Sequence, residues 1–202
     1  SQFNLDLRVR AIAGSTRMLL TDRAINLATW REDFEKHAVP LDWAVFTNHV
    51  HAEHLPHAVV VDCSASEDVA ARYVEWLGGG VHVVTPNKKA PSGPLTAYDQ
   101  LHEVRRRHNT RFLYETTVGA ALPIIGTLRD LRETGDEIRS IEGIFSGTLA
   151  YLFHVFDGSR PFSTIVREAR DAGYTEPDPR DDLSPLDGHG RECRKVPGAE
   201  PQ

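Results

Sequence analysis

Apolar and polar residues alternate through Leu7-Arg8-Val9-Arg10-Ala11-Ile12-Ala13 and meet Gly14, which predicts a strand running into a turn. Leu27, Trp30 and Phe34 then recur at helical spacing and predict an amphipathic helix. Ala58-Val59-Val60-Val61-Asp62-Cys63 is a short, β-branched run, the pattern of a strand covered on both faces in a parallel sheet. Ser66-Glu67-Asp68 follows as an N-cap with acids in the first turn. Val69, Tyr73, Trp76 and Leu77 then share one helical face, stopped by Gly78-Gly79-Gly80.

The alternation continues. Val81-His82-Val83-Val84 reads as a strand, Leu95, Tyr98, Leu101 and Val104 line a helix, and Arg111-Phe112-Leu113-Tyr114 reads as a further strand. Strands alternating with helices of this length give an α/β fold with a doubly wound parallel sheet, expected over residues 1–121. After Leu122 the texture changes. A helix through Leu131, a strand near 138–144, an apolar helix over 149–156 and a helix from Ile165 to Ala172 suggest the start of an α+β domain over 122–184. Residues 185–202 carry Gly, Pro and few apolar side chains, which predicts a tail without regular structure.

Composition narrows the classes of function. A net charge of -6 with no basic stripe argues against a nucleic-acid partner. The Arg105-Arg106-Arg107 run reads as the solvated C-terminus of a helix. No apolar stretch approaches the roughly 18 residues of a membrane span, and no signal peptide is visible, so the expectation is a cytoplasmic protein without a membrane partner. Two cysteines give no disulfide framework, in keeping with a reducing compartment. His49, His51, His54 and His57 crowd one segment, but no Cys or carboxylate set accompanies them in a zinc pattern. Cys63, placed within a buried strand, reads as an inert core thiol rather than as the nucleophile of a semialdehyde dehydrogenase.

Three segments carry more chemistry. Val84-Thr85-Pro86-Asn87-Lys88-Lys89-Ala90 puts two amines where a strand ends, Tyr114-Glu115-Thr116-Thr117-Val118-Gly119-Ala120-Ala121-Leu122-Pro123 is an irregular glycine-containing loop, and Gly173-Tyr174-Thr175-Glu176-Pro177-Asp178-Pro179-Arg180-Asp181-Asp182-Leu183 is a stiff acidic loop after a helix. In this order and spacing the chain, from about Leu5 to Ser184, resembles homoserine dehydrogenase, especially the dehydrogenase half of the bifunctional aspartate kinase–homoserine dehydrogenases. The resemblance implies an incomplete Rossmann-type sheet followed by the start of a substrate and dimerisation domain. It also implies NADP- or NAD-linked interconversion of L-homoserine and L-aspartate 4-semialdehyde, in threonine, methionine and isoleucine biosynthesis, by a homodimer acting on a small-molecule substrate.

Carried over residue by residue, the resemblance makes Lys88 the catalytic amine beside the nicotinamide, where an ammonium stabilises alkoxide charge or passes a proton. It assigns Glu176 and Asp187 to the substrate, and Ser64, Lys88 and Gly173 to the cofactor. Arg17 falls where a guanidinium could read a 2′-phosphate. A sodium ion would lie among Glu115 and the carbonyls of Val118, Ala120 and Leu122, since hard cations choose oxygen ligands. The bland alternatives are surface lysines at 88 and 89, and a Glu115 that merely caps a helix.

The chain also departs from the pattern. No G-x-G-x-x-G follows any predicted strand, and the family places that phosphate loop ahead of the segment matching Leu5. At the other end the pattern calls for a Lys where Arg191 stands, and an abrupt change of composition there is what a reading-frame shift would produce. The expectation is that residues 1–202 alone melt without cooperativity and turn over no homoserine. A truncated or frameshifted homologue without its own activity is therefore the alternative reading.

Overall fold

The computed structural model describes residues 6–51, 57–144, 146–175 and 178–183. Glu176, Asp187, Arg191, His54 and the tail expected over 185–202 lie outside the described residues. The chain begins with β1 (Ala11–Ala13), β2 (Arg17–Leu20), α1 (Trp30–His37), β3 (Val39–Pro40), α2 (Trp43–Val50) and β4 (Ala58–Val61). Next come α3 (Glu67–Ala70), α4 (Tyr73–Gly78), β5 (Val81–Val84), α5 (Lys89–Ser92), α6 (Leu95–Arg107) and β6 (Phe112–Leu113). The described elements close with α7 (Ile124–Glu133), α8 (Gly147–Val155), α9 (Phe162–Asp171) and α10 (Pro179–Leu183).

Two compact units share this chain. The first takes residues up to Val61, Arg72–Val84 and Leu101–Phe112; the second takes Asp62–Ala71, Thr85–Gln100 and Leu113 onward. In the first unit β1, β2 and β3 form an antiparallel sheet in that order, with Ala11 opposite Leu20 and Met18 opposite Val39. Gly14 N–H closes the first turn onto the Arg17 carbonyl at 2.8 Å.

A second sheet has the order β4-β5-β6. β4 and β5 run parallel, from Ala58 opposite Val81 to Val61 opposite Val84. Val83 N–H donates to the Arg111 carbonyl at 2.9 Å and Thr85 N–H to the Leu113 carbonyl at 2.8 Å. These bonds advance together along both strands, as a parallel ladder requires. The α/β class and a parallel sheet are what the chain forms, but the strand expected over 7–13 is only Ala11–Ala13 and pairs antiparallel with β2 in a separate sheet.

Tyr73, Trp76 and Leu77 of α4 are fully buried with Val81 and Val83 of β5. Each such side chain withdrawn from water contributes about 1.5–3 kcal/mol. Trp76 packs against Trp43 and Phe46, and its indole N–H donates to Thr47 Oγ1 at 2.9 Å. The Arg72 guanidinium lies 4.7 Å from the centroid of the Trp43 ring. In the second unit α8 and α9 bury Leu152, Ile165 and Ala169, with Tyr151 edge-on to Tyr174 at 5.0 Å.

Several expectations are corrected. No strand forms over 138–144, and Ile144 is 80% exposed. The helix expected from Leu27 begins at Trp30 and leaves Leu27 in solvent. The helix expected from Glu67 to Leu77 is two short helices, with Ala71 and Arg72 between them. β4 is covered on one face only: Val60 is buried, whereas Val59 and Val61 are exposed, because successive side chains of a strand point to opposite faces. Cys63 stands two residues beyond β4 and is exposed, so it is not a core thiol.

Candidate active site

The loops leaving the C-terminal ends of β4, β5 and β6 belong to the second unit, and they carry Ser64, Lys88 and Glu115. This edge is where open parallel sheets bind ligands. Asp62, the first residue past β4, is 5% exposed; Thr85 and Asn87, past β5, are 1% and 2% exposed. Polar groups so deeply buried must find partners. Asp62 Oδ1 accepts the Ser64 N–H at 2.7 Å, and Asp62 Oδ2 accepts from Asn87 Nδ2 at 3.0 Å. The Thr85 hydroxyl donates to the Asp62 carbonyl at 3.0 Å and accepts the Asn87 N–H at 2.8 Å. Asn87 Nδ2 also donates to the Ser66 carbonyl at 3.0 Å, and Asn87 Oδ1 accepts the Lys89 N–H at 3.0 Å.

These bonds tie the Ser64 turn to the Lys88 turn. Lys88 precedes the first residue of α5, and its carbonyl accepts the Ser92 N–H at 2.9 Å and the Ser92 hydroxyl at 2.6 Å. Its backbone is therefore held while its side chain remains exposed. Lys89 pairs with Glu67 at 3.7 Å. Ser64 Oγ accepts the Ser66 N–H at 3.2 Å and keeps an exposed position.

Glu115 opens a 3-10 turn over Glu115–Thr117. Its two carboxylate oxygens accept the Ile125 and Gly126 N–H groups, each at 2.8 Å. Pro123 offers no side-chain cap to α7, so Glu115 does that work from ten residues upstream. Between them Gly119 has φ +67° and Ala120 φ +52°. A Cβ at Gly119 would collide with the Ile124 side chain, which accounts for glycine there. Ala120 holds a left-handed conformation with no such excuse, the kind of strain that collects at binding loops. Val118 is buried, and the Leu122 carbonyl accepts the Ile124 N–H at 2.9 Å.

The remaining sequence candidates have structural roles on view. Gly173, with φ +77°, ends α9: its N–H donates to the Arg170 carbonyl and the Tyr174 N–H to the Ala169 carbonyl, both at 2.9 Å, a Schellman cap. Arg17 lies in the first unit. Its Nη2 donates to the carbonyls of Glu35 at 3.0 Å and Ala38 at 3.1 Å, at the C-terminus of α1. In the acidic segment, side-chain and backbone hydrogen bonds from Arg180 hold the Asp178 carboxyl down to about 2. His49 contacts the Thr21 carbonyl at 3.0 Å, His51 contacts the Gly79 carbonyl, and the His57 ring stacks on that of His82. Among the described residues no three His, Cys, Asp or Glu side chains gather as metal ligands, and no helix is long and apolar enough to cross a membrane.

Sequence reasoning missed the Asp62–Thr85–Asn87 network. Its signal was present in the polar residues that end two apolar strands, but the partners are more than twenty residues apart.

Residues 1–115 match the pattern of the homoserine dehydrogenase NAD-binding domain, and residues 123–191 match that of homoserine dehydrogenase. The chain belongs to the homoserine dehydrogenase family. It is 56% identical, over 92% of its length, to bifunctional aspartokinase/homoserine dehydrogenase 2, chloroplastic, of Arabidopsis thaliana. That alignment spans 20% of the plant protein, so the chain corresponds to about a fifth of such a relative. A protein of unknown function from Candida auris has a solved structure that superposes with TM-score 0.80 at 33% identity, covering 96% of this chain and 56% of that one. A hyperthermophilic archaeal homoserine dehydrogenase in complex with NADPH shares the fold, with TM-score 0.76 at 23% identity over 96% of this chain and 60% of its own.

Proposed function

We propose that this segment supplies the nicotinamide side and the catalytic amine of a homoserine dehydrogenase that oxidises L-homoserine to L-aspartate 4-semialdehyde. The observation that carries the reading is the place of Lys88. It is an exposed amine on the first loop beyond β5, at the ligand-binding edge of a parallel sheet, with its backbone fastened on both sides. Such fastening keeps an amine in register with a reacting atom, where an error of about 1 Å can cost roughly 10²-fold in rate.

Bound NADP would supply the hydride acceptor. Ser64 and Lys88 suit its nicotinamide end, because the two turns that bear them are joined through Asp62 and Asn87. In semialdehyde reduction the Lys88 ammonium would stabilise the negative charge on the substrate oxygen and pass it a proton; in homoserine oxidation the Lys88 amine would take the hydroxyl proton as the hydride leaves carbon. Glu176 and Asp187 hold the substrate ammonium in this reading. Gly173 lets backbone approach the cofactor, and Arg17 meets the 2′-phosphate in exchange for its contacts with α1. A sodium ion suits the Glu115 loop, since a carboxylate that accepts two N–H groups keeps lone pairs for a cation beside the carbonyls of Val118, Ala120 and Leu122. The partner of the working enzyme is a second copy of the same chain.

The test exchanges this segment for the corresponding one of the Arabidopsis relative and assays homoserine-dependent NADP reduction. The chimaera turns over, and Lys88→Ala abolishes turnover while NADPH binding persists. A folded chimaera that binds NADPH but lacks turnover would favour the inactive homologue, and full activity in the Lys88→Ala form would make Lys88 a surface residue.

A further inference from the structure

We propose that Asp62 is a positioning residue for Lys88, acting through the side chain of Asn87; this rests on the function assigned above to Lys88. A carboxylate at 5% exposure is costly to keep in a protein interior unless its bonds are specific. Those of Asp62 are. One oxygen holds the Ser64 turn and the other holds the Asn87 amide.

The second bond decides how Asn87 is oriented. With Nδ2 donating to Asp62 and to the Ser66 carbonyl, Oδ1 must face the other way, where it accepts the Lys89 N–H at 3.0 Å. The Asn87 backbone N–H is bound in turn to Thr85 Oγ1 at 2.8 Å. The peptide N–H groups on either side of Lys88 thus both end on one network, and the network takes its donor–acceptor polarity from Asp62. Lys88 keeps φ -76° and ψ -14° from this clamp. A merely structural role would close the two loops without requiring that polarity.

The polarity is what the experiment reverses. Asp62→Asn retains the shape and an acceptor for Ser64, but it turns an NH₂ toward the Asn87 NH₂. Asn87→Asp sets two carboxylates face to face. The double exchange restores one donor against one acceptor between positions 62 and 87 and leaves an acceptor for the Lys89 N–H, but it loses the bond to the Ser66 carbonyl.

Amide hydrogen exchange is measured on the chimaera described above. In Asp62→Asn the Lys89 amide exchanges about tenfold or more faster, and the double exchange recovers part of that protection. The Val83 amide in β5 keeps its rate throughout. In the chimaera, Asp62→Asn lowers kcat by about 10–100-fold with the homoserine KM within about threefold, and the double exchange regains part of kcat. The proposal is overturned if Lys89 is unprotected in the parent chimaera, if Lys89 and Val83 respond together, or if the double exchange is no better than the single. A parent chimaera without turnover would remove the assigned function, and the exchange rates alone would then decide whether Asp62 orders the Lys88 turn.

Discussion

Removing the Glu115 carboxylate tests the largest local interaction in the candidate cation loop. The carboxylate accepts the Ile125 and Gly126 N–H groups at 2.8 Å each, and α7 has no cap of its own at Pro123. Charge-assisted bonds contribute about 1.5–3 kcal/mol each when buried, but Glu115 is only half-buried and water replaces part of the loss. The interaction of the charge with the helix dipole adds about 0.3–1 kcal/mol. Glu115→Ala should therefore cost about 2–3 kcal/mol, and Glu115→Gln, which keeps an acceptor without the charge, about 1–2. In the chimaera described above, urea denaturation followed by far-UV circular dichroism gives the global value, and hydrogen exchange at Ile125 and Gly126 gives the local one. Repeating the melt in sodium and then choline chloride reads the cation. A bound ion at 100 times its Kd adds about 2.7 kcal/mol to the parent chain, and this increment should vanish in Glu115→Ala. Unchanged protection at Ile125 and Gly126 in the alanine variant would refute the cap, and a parent melt indifferent to sodium would refute the ion.

Two further outcomes follow from other sites. His102 accepts a bond from Arg105 Nε at 3.0 Å and lies edge-on to Phe112; burial first, then Arg105 and Arg106, lower its pKa to about 4. The unfolded chain binds that proton near its usual value of about 6.5, so stability is complete above about pH 6.5 and declines as the pH falls toward about 4. The loss should be about 1–2 kcal/mol once partial exposure is allowed for, and denaturation curves of His102→Gln should lack it. Arg17→Ala in the chimaera should shift the preference from NADP toward NAD by about tenfold if the guanidinium meets the 2′-phosphate, and an unchanged ratio would leave it as a brace for α1.

What the sequence disclosed depended on where each element finds its partners. Tyr73, Trp76 and Leu77 were legible as a buried helical face because helix periodicity is internal to the segment. The ladder of a strand lies outside it. Arg17–Leu20 and Val39–Pro40 pair into the first sheet without announcing themselves, whereas 138–144, apolar enough to suggest a strand, stays irregular and finds no partner strand among the described residues. Cys63 and Val61 were misjudged for a related reason: a run of valines gives the strand, but not where it ends or which of its faces is covered. At the site, Lys88 and Glu115 were singled out as residues, and the cap over α7 stood among the alternatives. The bonds joining Asp62 to Asn87 were not legible, since polar pairing across two loops leaves no periodic trace.

The division of the chain between two units bears on how it is made. The path leaves the first unit immediately after β4, again immediately after β5, and finally within β6. On the ribosome, β4 emerges ahead of β5, because Val84, which pairs with Val61, is roughly twenty residues behind. At about 5–20 residues per second that interval is roughly one to four seconds, long against the microseconds in which a hairpin closes. Through those seconds the edge of β4 that faces β5 stays unpaired, and the sheet stays open until Leu113 arrives. Nascent chains stalled between Val61 and Val84 should therefore be the ones that holdase chaperones capture.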